Sequence, residues 1–255
     1  MTPALTLALP ARAKLNLGLE VLGRREDGYH EVRTRLQAVD LHDLLLMEPA
    51  AATTTTTSGL ELKTTGDNSI LKAHAALEHA VGRKLPTRFH LHKRIPPGSG
   101  LGGASSDAAA ALRGLERIHH VEADLAALAA QIGADVPFFL TGGAALAEAT
   151  GERLTRISGV QAWFAIAWPG IELSTAAVYR AWDEVGGDPP NQLRRAAAHV
   201  DKRLDTFAQR LGPAWQMTGS GSAFFFASTS HDEALKTAAA LDCWTAVTHA
   251  VGPWG

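Results

Sequence analysis

The segment Pro96-Pro-Gly-Ser-Gly-Leu-Gly-Gly-Ala-Ser-Ser106 limits the folds open to this chain more than any other. Glycines at 98, 100, 102 and 103 let the backbone reach positive φ and approach a ligand with no Cβ in the way. Before it, Thr87–Ile95 alternates Phe89 and Leu91 with His90 and His92, the period of a strand. After it, an alanine-rich run from about Ser105 to Ile118 has helical spacing. A strand, a glycine-rich turn and a helix start make an anion site, because free N–H groups and the positive end of the helix dipole converge there. Ser99, Ser105 and Ser106 add hydroxyl donors. A purely structural turn is the competing reading, and four glycines within six residues favour phosphate over it. Three familiar phosphate loops fail. The dinucleotide fingerprint fits Gly98-x-Gly100-x-x-Gly103 in spacing, but His119-His-Val-Glu-Ala-Asp124 and a further helix stand where its second strand belongs. The P-loop needs a lysine after its last glycine, and Ala104-Ser105 follows Gly103. A protein-kinase loop would require a lysine strand and a His-Arg-Asp segment.

Elsewhere, strands are expected at Thr6–Leu9, Lys14–Val21, Val32–Val39 and Asp43–Glu48, with Gly23–Gly28 as a charged turn. In the second of these strands Leu15, Leu17, Leu19 and Val21 share one face, and Lys14, Asn16, Gly18 and Glu20 the other. Ala50–Gly59, with its five consecutive threonines, reads as a loop or ragged strand tip. Ser69–Val81 reads as a helix behind an Asp-Asn-Ser cap, and Glu122–Ile132 as another ended by Gly133. Ala144–Ala149 and Arg153–Ile157 form a strand pair. The Ser158-Gly159 break suggests two domains, 1–157 and 158–255. Beyond it, Gln161–Trp168, Ser222–Ala227 and Trp244–His249 read as strands, and Thr175–Asp183, Asn191–Leu211 and His231–Leu241 as helices. The order argues an α+β fold.

Composition removes several function classes. Lys and Arg number 24 against 26 Asp and Glu, so the basic balance of a nucleic-acid coat is missing. The single cysteine, Cys243, allows neither an intramolecular disulfide nor a cysteine zinc cluster, and reads as a small buried residue. No apolar run approaches the ~20 residues of a membrane span, and Met1–Pro10 lacks a basic start. A soluble cytoplasmic protein, free of nucleic acid and membrane and either monomeric or weakly dimeric, is the expectation. His90 and His92 share a strand face without an evident third ligand, which makes a zinc site improbable.

The glycine-rich segment, extended to Pro97-Gly-Ser-Gly-Leu-Gly-Gly-Ala-Ser-Ser-Asp-Ala-Ala109, resembles the second motif of the GHMP kinases. Their first motif resembles Ala11–Leu17, with Ala13-Lys14-Leu15-Asn16-Leu17 as its core, and their third Thr218-Gly-Ser-Gly-Ser222. Arg25-Glu-Asp-Gly-Tyr-His30 and Gly133-Ala-Asp-Val-Pro-Phe-Phe139 narrow the resemblance to the branch that phosphorylates a cytidine-diphosphate-linked methylerythritol in non-mevalonate isoprenoid biosynthesis. The resemblance implies an N-terminal domain of the ribosomal-protein-S5 type, a ferredoxin-like C-terminal domain, and ATP and substrate meeting in a cleft. It also implies transfer of the γ-phosphoryl of ATP to a tertiary hydroxyl, with Mg²⁺ accompanying the nucleotide. A homoserine or mevalonate type of kinase and a non-catalytic nucleotide-binding module are the rivals.

A tertiary alcohol is a hindered nucleophile of high pKa, so the protein must align it and take its proton. Asp135, in an apolar setting, suits a general base, and a buried capping aspartate is the plain alternative. Lys14 suits charge stabilisation, although a lone strand lysine is more often solvated. The resemblance favours the chemical role for both. It assigns ATP to Pro96, Pro97, Gly98, Ser99, Gly100, Leu101, Gly102, Gly103, Ala104, Ser105 and Ser106, with Asn68 and Lys93 near the nucleotide. Ser106 is the best hydroxyl to assist the metal, and Asp107 either helps or simply belongs to the first helical turn. At the other end, Tyr29 and Tyr179 would sandwich cytosine, and His30 would read its edge. Asn16 and Thr175 would hydrogen-bond the substrate, and Thr218 and Gly219 would support the loops beside it.

Overall fold

The computed structural model describes residues 6–61 and 68–254. Two long strands open the chain: β1 (Leu7–Arg24) pairs with β2 (His30–Pro49). Each unites two expected short strands. Pro10 and the residues after it have little strand propensity of their own, and pairing with β2 overrides it. The charged turn between them is tight. Arg25 N–H donates to the Tyr29 carbonyl at 2.8 Å, and Asp27 Oδ1 accepts from Tyr29 N–H at 3.1 Å.

The chain divides into two compact units. Of the described residues, the first takes those up to Ala13, His42–Ile95 and Gly102–Thr141, and the second takes Lys14–Leu41, Pro96–Leu101 and those from Gly142 on. In the first unit, β3 (Thr54–Gly59) lies parallel to β4 (Thr87–Lys93), with α1 (Ser69–Val81) between them in sequence. β4 also pairs antiparallel with the far half of β2, from Leu44 opposite His92 to Pro49 opposite Thr87. Of the two readings of the threonine tract, the strand is the one the structure shows. Its weak hydrophobicity suits a half-exposed strand whose hydrogen bonds come from β4. α2 (Gly103–His119) packs on α1, α3 (Leu125–Ile132) and α4 (Val136–Thr141), and buried alanines 108, 109 and 111 let those helices come close.

In the second unit, β5 (Ala144–Ala149) pairs with the near half of β2, from Val32 opposite Ala149, and with β6 (Arg153–Arg156). A separate antiparallel sheet runs β10 (Trp244–His249), β7 (Trp163–Trp168), β9 (Phe224–Ser228), β8 (Gln216–Met217). α8 (His231–Ala239) packs on β7, β9 and β10. α5 (Thr175–Val185) packs on α6 (Arg194–Val200), and the core here gathers Val178, Leu193, Ala197, Leu204, Phe207 and Phe224. The single expected helix 191–211 is two, because the chain extends at Asp201 before α7 (Arg203–Leu211) begins. Asp201 Oδ1 then accepts from Arg203 N–H at 3.0 Å.

Candidate active site

Within the second unit, the residues of the first and third expected motifs meet. Lys14 and Asn16 are both buried on β1, so the plain alternative of a solvated strand lysine does not hold, while Glu20 farther along the same face is exposed. Lys14 Nζ donates to Asn16 Oδ1 at 2.5 Å. Asn16 Nδ2 donates to Thr34 Oγ1 at 2.8 Å, and Asn16 N–H donates to Thr218 Oγ1 at 2.9 Å. Every polar atom of the Asn16 side chain is thereby engaged. Gly219 closes over this group with φ +57°, and a Cβ there would stand 3.2 Å from both Lys14 Nζ and Asn16 Oδ1. The first half of the glycine-rich segment joins them. Lys14 N–H donates to the Leu101 carbonyl at 3.0 Å, and Ala223 N–H to the Ser99 carbonyl at 2.9 Å. Gly100 has φ +80°, and a Cβ would fall 2.3 Å from the Thr218 carbonyl oxygen. Only glycine permits that backbone approach. Ser99 Oγ donates to the Pro96 carbonyl at 2.6 Å, so its hydroxyl serves the turn itself.

Asn191 holds the third motif from behind. Its Nδ2 donates to the carbonyls of Met217 at 2.8 Å and Gly219 at 2.9 Å, and its Oδ1 accepts from Leu193 N–H. No sequence signal marked it, since a lone asparagine after a proline pair looks like loop chemistry. Thr175, the first residue of α5, shares a hydrogen bond with Ser220 Oγ at 3.0 Å.

At the turn after β1, Tyr29 is 67% exposed, unusual for a large aromatic side chain. His30 beside it is buried. Its ring stacks on Tyr179 with centroids 5.0 Å apart, meets Trp182 edge-on, and its Nε2 binds Asp183 Oδ1 at 2.6 Å. Asp183 is therefore a further residue of this corner that the sequence left unmarked.

In the first unit, the second half of the glycine-rich segment starts α2. Gly102 caps the helix with φ +76° and offers no side-chain oxygen to the first N–H groups, the arrangement an anion at a helix start requires. Ala104 is exposed, Gly103 and Ser105 are half-buried, and Ser106 is buried. Asn68 caps α1, its Oδ1 accepting from Ile70 N–H at 3.0 Å and Leu71 N–H at 3.3 Å. Asp135 is half-buried and immediately precedes α4. Pro96 and Leu101 are buried and Pro97 half-buried at the two ends of the turn in the second unit, where Gly98 is exposed. Lys93 lies in a buried triad: its Nζ donates to Asp43 Oδ2 and, at 2.9 Å, to Asp107 Oδ2. Burial opposes the Lys93 ammonium, but Asp107 and Asp43 outweigh it and raise its pKa. Two carboxylates cannot both stay charged on one ammonium in so dry a place. Asp43 has two backbone N–H donors as well, whereas Asp107 Oδ1 has no partner. Burial pushes the pKa of Asp107 up to about 7, against Lys93 and with Asp43.

Among the described residues, no three or more His, Cys, Asp and Glu side chains gather as a metal cage. His90 and His92 both bond to Ser58 Oγ at 3.0 Å. Also among the described residues, no helix is long and apolar enough to cross a membrane.

The GHMP kinases N terminal domain model matches residues 68–143. The 4-diphosphocytidyl-2-C-methyl-D-erythritol kinase of Thermus thermophilus is 37% identical over 259 residues, which cover 92% of each chain. That of Chromohalobacter salexigens is 37% identical over 254 residues, covering 89% of this chain and 85% of the other. This chain belongs to the 4-diphosphocytidyl-2-C-methyl-D-erythritol kinase family. The crystal structure of a 4-(cytidine 5'-diphospho)-2C-methyl-D-erythritol kinase matches with a TM-score of 0.80 at 34% identity, over 96% of this chain and 99% of that one. A Methanococcus jannaschii mevalonate kinase, at 13% identity and a TM-score of 0.67, shares the fold. The α+β architecture is thus the GHMP kinase fold.

The raised pKa of Asp107 makes stability depend on pH in a defined direction. A carboxyl whose pKa is raised from 3.8 to about 7 on folding gives its full stabilisation below about pH 4 and loses it as pH rises through 7. Asp107→Asn removes the titration and keeps the shape. Urea unfolding across that range is expected to show parent stability falling relative to Asp107→Asn as pH rises. A constant difference would place the proton elsewhere.

Proposed function

We propose that this protein transfers the γ-phosphoryl group of ATP to the 2-hydroxyl of 4-diphosphocytidyl-2-C-methyl-D-erythritol, giving the 2-phosphate and ADP. The observation that carries the reading is 37% identity with a kinase of that name over 92% of both chains. The glycine-rich turn, with its Gly100 backbone approach and its uncapped helix start, is the element suited to the triphosphate. Pro96–Ser106 forms the nucleotide end, with Asn68 and Lys93 beside it. The division into domains 1–157 and 158–255, and a cytoplasmic enzyme acting alone or as a weak dimer, belong to the same reading.

The chemistry asked of the chain is alignment, charge neutralisation and removal of one proton. Asp135 takes the proton of the attacking hydroxyl as general base. Lys14, buried and oriented by Asn16, stabilises charge on the transferring group. Asn16 and Thr175 bind the polyol, and Thr218 and Gly219 hold the loop over Lys14. Magnesium fits as an ion carried on the nucleotide, since it keeps much of its water and needs few protein ligands. Ser106, buried in the first turn of α2, would assist in holding it, and the ion would supply neutralisation of phosphate charge. Tyr29, 67% exposed, is the platform for cytosine, with Tyr179 closing the sandwich and His30, stacked on Tyr179, reading the pyrimidine edge.

ADP release with and without the diphosphocytidyl substrate tests the reaction. Homoserine and mevalonate, tested in its place, are expected to give no ADP above background. Asp135→Asn is expected to reduce turnover by about 10²–10⁴-fold with ATP binding little changed. Near-parent turnover would remove Asp135 from the mechanism. Tyr29→Ala is expected to weaken CDP binding by about 1–3 kcal/mol through lost stacking, with ATP affinity almost unaltered. Calorimetric titration with CDP checks this, and parent-like affinity would move the cytosine site away from Tyr29.

A further inference from the structure

A lysine beside a nucleotide loop is ordinarily read as a phosphate ligand. The geometry of Lys93 argues differently. Its side chain is 5% exposed, and both partners of its ammonium are carboxylates more deeply buried still. Asp43, on β2, does more than pair with it: Asp43 Oδ1 accepts the backbone N–H groups of Arg94 at 2.6 Å and Ile95 at 2.8 Å. These are the last residues before the glycine-rich turn. Asp107, the other partner, lies in α2 directly after that turn. The strand end and the helix start are thus tied to one buried point. Gly103 makes the approach possible, since a Cβ there would stand 3.0 Å from Ile95 Cγ2 and 3.3 Å from Lys93 Nζ.

We propose that Asp43, Lys93 and Asp107 form a clasp that fixes both ends of the glycine-rich turn and so sets its affinity for a nucleoside triphosphate, with Lys93 acting through the turn and not on the phosphates. The proposal rests on the nucleotide reading above. All three are positioning residues. A turn held at both ends is already ordered when the ligand arrives, so less conformational freedom is lost on binding. Asp107 contributes one oxygen to Lys93 and leaves the other without a partner. The amide oxygen of an asparagine can make the same single contact, and a methyl group cannot.

The test is calorimetric titration of the full chain with ATP and, separately, with CDP, for the parent, Asp107→Ala, Lys93→Met, the double variant and Asp107→Asn. The clasp predicts about tenfold weaker ATP binding for each of the two single truncations. It predicts a double variant little weaker than either alone, because both break one linkage. Asp107→Asn restores ATP affinity to within about threefold of the parent, and CDP affinity holds in all four variants. Lys93→Met carries the same comparison if Asp107→Ala fails to fold. If Asp107→Ala binds ATP like the parent while Lys93→Met does not, Lys93 acts directly and the clasp is wrong. Equal weakening of ATP and CDP overturns it as well, by reducing the triad to general stability. A parent protein that binds no ATP overturns the nucleotide reading together with the clasp.

Discussion

Taking a lysine ammonium out of water costs several kcal/mol unless oxygen acceptors replace its hydration, and this chain does so at Lys14 and again at Lys93. In each unit the neighbouring side chains answer that requirement. Lys93 is given two carboxylates, and burial raises the pKa of one of them, Asp107, to about 7. Lys14 is given the amide oxygen of Asn16, which is itself held by Thr34 and stands beside Thr218. Lys14 thus meets a neutral amide oxygen at Asn16, whereas Lys93 meets two carboxylates.

The glycines follow from the same constraint. Gly219 lies where any side chain would press on Lys14 and Asn16, and Gly100 where the backbone meets the Thr218 carbonyl. Asn191 then satisfies the carbonyls of the loop that has been brought so close. A polar residue without a motif of its own thus maintains the geometry of residues that have one.

Period and turn chemistry exposed much of this in the sequence. α1, β4 and β10 fall within a residue or two of their expected bounds, and α2 starts at the glycines. What failed was local propensity against pairing. Thr6–Leu9 and Lys14–Val21 were expected as separate strands that pairing with β2 joins into one, and of the two readings of the threonine tract, loop or ragged strand tip, β4 selects a strand. Motif resemblance brought together Lys14, Asn16, Thr218 and Gly219, which the second unit gathers in space. It passed over Asp43, Asn191 and Asp183, because their importance comes from burial and partners distant in sequence. The burial of Lys14 was equally invisible, since alternation placed it on a polar face.

Family membership and the chemistry of these side chains converge on phosphorylation of one hindered hydroxyl. Its position on the polyol is the central claim. The most direct measurement is NMR of the product formed from ATP and diphosphocytidyl-methylerythritol labelled with ¹³C in the methylerythritol unit. A new phosphomonoester ³¹P resonance coupled to the quaternary carbon two is the predicted result. A phosphomonoester coupled instead to a carbon bearing hydrogen, or ADP formed with no new phosphomonoester, would contradict the account.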